Sequence, residues 1–481
     1  MSDHCFIPPY SLLKSFITIL CLASTLAVQA QKEKLRIGYA EVNYTPRIGL
    51  DMVGNYRGDD YASRGIHDPL YAKAIVAEGT NGTKAAIVSI DICNIQEATV
   101  DYLREYIGSM SDILPANVMI HATHTHSGPP SKLDAPEAKE YLKKAVGAVL
   151  EANQQIQPTR LYVGRTTEDR VSHNRRLKAN DGTTHMVWEK FTPGYIVESL
   201  GSIDPEMITV SMERNGEIVG SIINFSCHPT TLTGNNWFYS ADYPGYLTES
   251  IKKAKGKDFS TMFINGTCGN VTQVDHEVGF LDTYQECQRI GYILGISALE
   301  SMRNAQPLAD NGLVRVSREQ VPLKKMTITE EQFAWAKEVM DRVAKEGMPP
   351  LQADGIPDEV YASKWIKMYE EQEEIDSLEV QVIQIGDLAL VGLPGEMFNE
   401  FGIYIKENSP FPNTIVMGLA NAAAGYFPTK VSFTQGPAGF KPMTTGYETT
   451  PGTTYYDIGA GEKLSESAVH QLHKLAELPE K

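Results

Sequence analysis

Two apolar runs, residues 207–212 and 218–226, are joined by Glu213-Arg214-Asn215-Gly216. Asn-Gly accepts positive φ at both central positions of a tight hairpin, so the two runs must pair as antiparallel neighbours. A sheet built around such a hairpin is not the all-parallel kind. A second hairpin is expected at Ile385-Gly386-Asp387, between 380–383 and 388–391. Other strand-like runs fall at 35–42, 84–92, 160–163, 261–264, 313–321 and 378–393, and helical patterns at 99–110, 136–154, 245–254, 284–304 and 464–475. Irregular alternation of the two periodicities predicts an α/β fold, with mixed β-sheets flanked by helices in a single large domain.

The ends of the chain read differently from its body. Lys14 precedes an apolar run, 16–28, followed by Val28-Gln29-Ala30, the pattern of a signal peptide over residues 1–30. That run falls short of the roughly 20 residues a membrane-spanning helix needs. Leu20 stands before Cys21, where a lipoprotein signal places a small residue. The expectation is an exported protein, periplasmic or secreted, whose mature chain starts near Gln31 and holds no transmembrane segment. Residues 31–481 carry no internal repeat and no low-complexity linker, so they are read as one large domain. Its most polar interval, 324–377, holds two amphipathic patterns, Glu330–Glu346 and 358–374, around Gly347-Met348-Pro349-Pro350, and reads as a helical insertion.

Composition excludes one class of partner. A formal net charge of −17 is unsuited to nucleic acid, whose phosphates require a basic surface. Cys93, Cys227, Cys268 and Cys287 remain beyond the leader, with no CxxC pair for a thiolate cluster. One disulfide among them is compatible with export, with no preferred pairing.

The chemistry gathers at strand ends. Val118-Met119-Ile120-His121-Ala122 runs into Thr123-His124-Thr125-His126-Ser127-Gly128-Pro129. Residues two apart on extended chain point to one side, so His124 and His126 can face one pocket. Two imidazoles so placed suit a divalent metal, zinc best, although polar loop histidines explain a lone His-x-His as well. Ile222-Ile223-Asn224-Phe225-Ser226-Cys227-His228-Pro229 delivers a third histidine in the same manner. Leu393-Pro394-Gly395-Glu396 places a carboxylate after a tight turn, where it also suits the start of a helix. The Gly- and Asn-rich stretch from Asn265 to Thr272 is a loop whose N–H groups could face an anion.

Taken in order with Val88-Ser89-Ile90-Asp91-Ile92, Asn174-Arg175 and Asn421-Ala422-Ala423-Ala424-Gly425-Tyr426, these segments resemble the neutral/alkaline, non-lysosomal ceramidases, from about Gly38 to Gly461. The resemblance implies one Zn2+ held by His124, His228, Glu396 and Tyr426. It places His126 toward the reacting amide and Arg175 on the substrate. Tyr447, after a longer gap than the family's, matches a further tyrosine, and Thr272 stands where the family has a serine. Arg175 and Tyr447 would serve a developing oxyanion, and His126 would carry a proton to the departing amine or alkoxide. Asp91 is either an outer carboxylate orienting a ligand histidine or a structural turn residue.

The resemblance implies hydrolysis of an N-acyl sphingoid amide. Thr272, the altered segment after Asp242 and the end of the sequence at Lys481, which implies no separate C-terminal immunoglobulin-like domain, separate this chain from those enzymes. The alternatives are an esterase or deacylase of a carbohydrate or other small amide, and a binding protein without catalysis. Phe238, Tyr239, Tyr243 and Phe427 are candidate walls for an acyl chain. Asn235, Asn236, Tyr455, Tyr456 and Asp457 suit sugar hydroxyls equally.

Overall fold

In the computed structural model, which describes residues 34–58, 60–309, 312–347, 357–371 and 375–479, the Asn-Gly hairpin forms as expected. Asn215 and Gly216 take φ of 53° and 86° and join Glu206–Arg214 to Glu217–Phe225 in antiparallel register. The second expected hairpin also forms, splitting the long apolar run into Ile375–Ile385 and Leu388–Gly392. The signal peptide lies outside the described residues. No helix among them is long and apolar enough to cross a membrane.

Three mixed sheets make up the body. The first orders its strands Val118–Ala122, Lys84–Ile90, Tyr71–Glu78, Arg36–Asn43, Gln157–Pro158. The second runs Ser260–Asn265, Glu217–Phe225, Glu206–Arg214, Arg160–Thr167, Gln306–Pro307. The third runs Val314–Lys324, Ile375–Ile385, Leu388–Gly392, Asn413–Met417. Each contains one parallel pair. Between its two strands the chain forms a helix: Glu97–Met110, Tyr243–Lys255 or Asn399–Glu407. A parallel pair needs such a crossover, so three βαβ units sit within otherwise antiparallel sheets.

Period-2 alternation decides which face each residue takes. In Lys84–Ile90, Ala85 and Ile87 enter a core shared by all three sheets, while Ala86, Val88 and Ile90 pack toward the helices Glu97–Met110 and Ala138–Gln154. Met119, Ile222, Met262, Leu390 and Ile415 meet Ile87 in that shared core. Helices Tyr243–Lys255 and Tyr284–Arg303 cover the second sheet, and Asn399–Glu407 and Ala460–Ala476 the third.

The two amphipathic patterns at 324–377 become helices Glu330–Glu346, opened by a Thr329 capping box, and Asp358–Glu371. Residues 372–374 and Met348, Pro349 and Pro350 lie outside the described residues. The pair has its own small core around Trp365, Tyr361 and Val339, with Met443 and Tyr447 packed against it. Trp365 Nε1 donates to the Pro451 carbonyl at 2.8 Å and Lys364 Nζ to that of Gly452 at 2.9 Å. The excursion is therefore tied to the loop that carries Tyr447.

Four elements depart from the sequence reading. Glu396 does not open a helix: it pairs with Tyr426 in a two-residue parallel bridge, and the helix starts at Asn399. Tyr71–Glu78 and Asn413–Met417 are strands although their own patterns are weak, because neighbouring strands hold them. A three-stranded flap, Arg176–Ala179, Thr184–Met186 and Ile196–Ser199, lies beyond Arg175. All four remaining cysteines are buried and unpaired.

Candidate metal centre

The three βαβ units deliver their chain to one place. Beyond the carboxyl ends of their parallel strands lie His124, His228 and Glu396, the position where open α/β sheets present ligand sites. One coordinating atom from each lies within 4.8 Å of the other two. His228 Nε2 is 3.0 Å and His124 Nε2 3.3 Å from Glu396 Oε2. Both rings are fixed from behind. His124 Nδ1 donates to the Cys93 carbonyl at 2.5 Å, and His228 Nδ1 faces the Cys268 and Val271 carbonyls at 2.6 and 2.9 Å. Each ring thus keeps Nε2 free, the arrangement that metal-ligating imidazoles have. Two imidazoles and a carboxylate fit a divalent cation.

Asp91 has no part in this. Its carboxylate accepts the Tyr71 N–H at 2.9 Å, and the backbone of Cys93 takes the orienting role, because the chain turns there under the His124 ring. The histidine pair does not lie on a regularly extended chain. His124 has a left-handed φ of 76°, a conformation costing a non-glycine residue about 1 kcal/mol. The two rings nevertheless meet edge to face, centroids 4.7 Å apart, with Nε2 atoms 3.3 Å apart.

His126 is held separately from the triad. Asn55 Oδ1 lies 3.2 Å from its Nδ1, Arg57 Nη2 donates to its carbonyl at 2.9 Å, and Gly54 passes so close that a Cβ there would sit 2.5 Å from the ring. Burial, then the neighbouring His124 and His228, push its pKa well below the ordinary value. Burial and Arg175 bring His228 down to about 4. Burial opposes charge on Glu396 too, but His124 outweighs it and holds the carboxyl well below its usual range.

Arg175 completes one wall. Its Nη1 is 3.3 Å from His228 Nε2, its Nε donates to Glu448 Oε1 at 2.7 Å, and buried Nη2 makes no hydrogen bond among the described residues. Tyr426, Trp188 and Tyr447 surround the guanidinium, ring centroids 5.2, 5.5 and 5.9 Å from Cζ. Tyr426 stands beside Glu396 through their strand pairing, and burial raises its phenol pKa well above the ordinary value. Thr272 joins His228 by a backbone bridge, while its hydroxyl donates to Gln273 Oε1 at 2.9 Å.

Several supports had no sequence signal. Asn55, Arg57 and Glu448 are remote in sequence from the groups they hold, and the orienting carbonyls of Cys93, Cys268 and Val271 are backbone atoms of any residue type. Of the expected acyl-chain walls, Tyr239, Tyr243 and Phe427 are at most 1% exposed and belong to the core, leaving Phe238 at 44%. Tyr243 is buried at the start of the helix Tyr243–Lys255, and Tyr239 and Phe427 in short two-residue strands. Asn236 and Tyr456 are buried as well, whereas Asn235 and Tyr455 are exposed.

A sequence profile described as neutral/alkaline non-lysosomal ceramidase, N-terminal, matches residues 36–347. The chain belongs to this ceramidase family. It is 25% identical over 281 residues to the neutral ceramidase of Pseudomonas aeruginosa, a match covering 53% of this chain and 40% of that protein. It is 28% identical over 201 residues to neutral ceramidase B of Dictyostelium discoideum, covering 38% and 27% respectively. The matched segments thus span less than half of either relative. The fold extends further than the sequence likeness. The crystal structure of the Pseudomonas aeruginosa neutral ceramidase superposes with a TM-score of 0.69 at 22% identity, over 92% of this chain and 75% of that one. A structure titled as ceramidase complexed with C2 gives 0.68 at 20% identity, over 93% and 76%.

Proposed function

We propose that this chain is a zinc-dependent amidohydrolase that cleaves N-acylsphingosine to a fatty acid and a sphingoid base. The observation that carries the reading is that His124, His228 and Glu396 turn their coordinating atoms to one point, with His126 and Arg175 against it, in a chain of the ceramidase family. Zn2+ held by His124, His228 and Glu396, with Tyr426 as the fourth donor, would supply an acidified water and a polarised carbonyl. The rest falls to the side chains. Arg175 Nη2 and the Tyr447 hydroxyl donate to the oxygen that gains charge at the scissile carbonyl. His126, anchored by Asn55 and Arg57, moves a proton to the departing nitrogen. Glu448 holds Arg175 in place, and Thr272 steadies the backbone at His228.

A second reading is favoured by one observation: three of the four aromatic residues expected to line an acyl-chain cleft are in the core. An acyl chain gains about 0.8 kcal/mol per buried CH₂, so a lost apolar wall weakens ceramide binding. An esterase or deacylase of a carbohydrate or other small amide needs no such wall. A short-chain fluorescent ceramide and N- and O-acetylated sugars, each tested with and without chelator, separate the two. Chelator-sensitive cleavage of the ceramide supports the first reading, and cleavage of the sugars alone replaces it with the second. We also place the protein outside the cytoplasm, as the 16–28 run and Val28-Gln29-Ala30 suggest. N-terminal sequencing of exported protein should begin near Gln31.

A further inference from the structure

The turn after the Lys84–Ile90 strand places a thiol beside the paired histidines. Cys93, His124 and His126 each bring one donor atom to within 4.8 Å of the other two, and the Nε2 atoms of the two imidazoles lie 3.3 Å apart. Nothing in the hydrolase reading uses this sulfur. Cys93 is buried, and Asn94 Nδ2 donates to Sγ across 3.8 Å. The Arg57 guanidinium stands nearby, itself buried and fixed by the carbonyls of Asn236, Asn55 and His126. Burial lowers the Arg57 pKa.

We propose that Cys93, His124 and His126 form a second cation position, selective for soft, thiophilic metals, that shares His124 with the first. Thiolate with imidazole selects ions such as Cd2+ over harder cations, whereas His124, His228 and Glu396 offer no sulfur. As the metal–sulfur bond forms, the thiol proton leaves to solvent. The sharing follows from the ring itself. Nδ1 of His124 donates to the Cys93 carbonyl, so only Nε2 coordinates, and its one lone pair serves a single cation at a time. A soft metal on Cys93 and His126 therefore withdraws His124 from His228 and Glu396, and the two positions exclude each other.

The test is a Cd2+ titration of metal-free protein, following sulfur-to-metal charge-transfer absorption in the ultraviolet. Wild type should develop the band, saturating near one equivalent. Cys93→Ser should lose the band, and its preference for Cd2+ over Zn2+ in competition dialysis should fall by at least the about tenfold that even an outer contact costs a metal site. Cys268→Ser should keep the band, because that sulfur belongs to neither triad. Absence of the band from wild type, or its persistence in Cys93→Ser, overturns the proposal. X-ray absorption on Cd-loaded wild type needs no variant: a sulfur neighbour of the metal supports the site, and a shell of nitrogen and oxygen alone rejects it. Such a failure leaves the hydrolase reading untouched, since that reading depends on His228 and Glu396.

Discussion

Glu448→Gln tests how Arg175 is held. The Glu448 side chain is fully buried and bridges two guanidinium groups that are almost as inaccessible, Oε1 accepting from Arg175 Nε at 2.7 Å and Oε2 from Arg176 Nη1 at 2.8 Å. Glutamine keeps the shape and one acceptor but leaves two buried cations without their counter-charge. Breaking a buried ion pair by removing one partner costs about 3–5 kcal/mol, and the isosteric change belongs at the lower end. With an unfolding entropy of about 2.1 cal/mol/K per residue over roughly 450 residues, a loss of ~3 kcal/mol lowers Tm by about 3 °C. Turnover should fall with it, because Arg175 loses the contact that fixes its Nε side, while zinc content should stay near one per chain.

Acid supplies the discriminating readout. Burial raises the Glu448 pKa, but Arg175 and Arg176 outweigh it and hold the carboxyl below its ordinary 4.5. A depressed carboxylate stabilises the fold above its unfolded-state pKa and loses that contribution as pH falls through the folded value. The Tm gap between wild type and Glu448→Gln should therefore be full at neutral pH and close below about pH 4.5. Calorimetry across pH 3–7 checks this. An unchanged Tm at neutral pH, or a gap that does not narrow in acid, refutes the argument.

The other predictions concern the centre and its frame. His228→Ala and Glu396→Gln should lose zinc by elemental analysis, whereas His126→Ala should keep it; loss of metal in His126→Ala would exchange the roles of the two histidines. His126→Ala should lower turnover by about 10²–10⁴-fold, the usual span for a positioned acid–base group, with Tm nearly unchanged. Glu379 accepts from buried Arg104, from Arg318 and from Asn421, whose backbone and side chain bond Ile120. Glu379→Ala should therefore cost about 3–5 kcal/mol by denaturant unfolding. Limited proteolysis should cut within 324–377, if anywhere, without releasing two independently folded pieces, and two stable fragments would reveal a second domain.

Local rules carried the reading wherever a feature is written within a few residues. The Asn215-Gly216 hairpin, the Thr329-capped helix and the strands that run into His124 and His228 depend on turn chemistry and periodicity, which neighbouring residues decide. His124, His228 and Glu396, whose donor atoms the structure brings together, were legible because the order of their strand-end motifs resembles that of the ceramidases. Tertiary structure decided the rest. Glu396 pairs as a strand beside Tyr426 because the Tyr426 segment, distant in sequence, arrives next to it. Tyr239, Tyr243 and Phe427 turn inward because sheet and helix packing claim their apolar surface, not because their neighbours in sequence demand it. Asn55, Arg57 and Glu448 became visible only when the three sheets closed on their shared core, since a hydrogen bond spanning 273 positions, as between Arg175 and Glu448, leaves no local pattern. The sequence by itself therefore determined which donors this protein offers, and the packing of the three βαβ units determined which of them share a pocket.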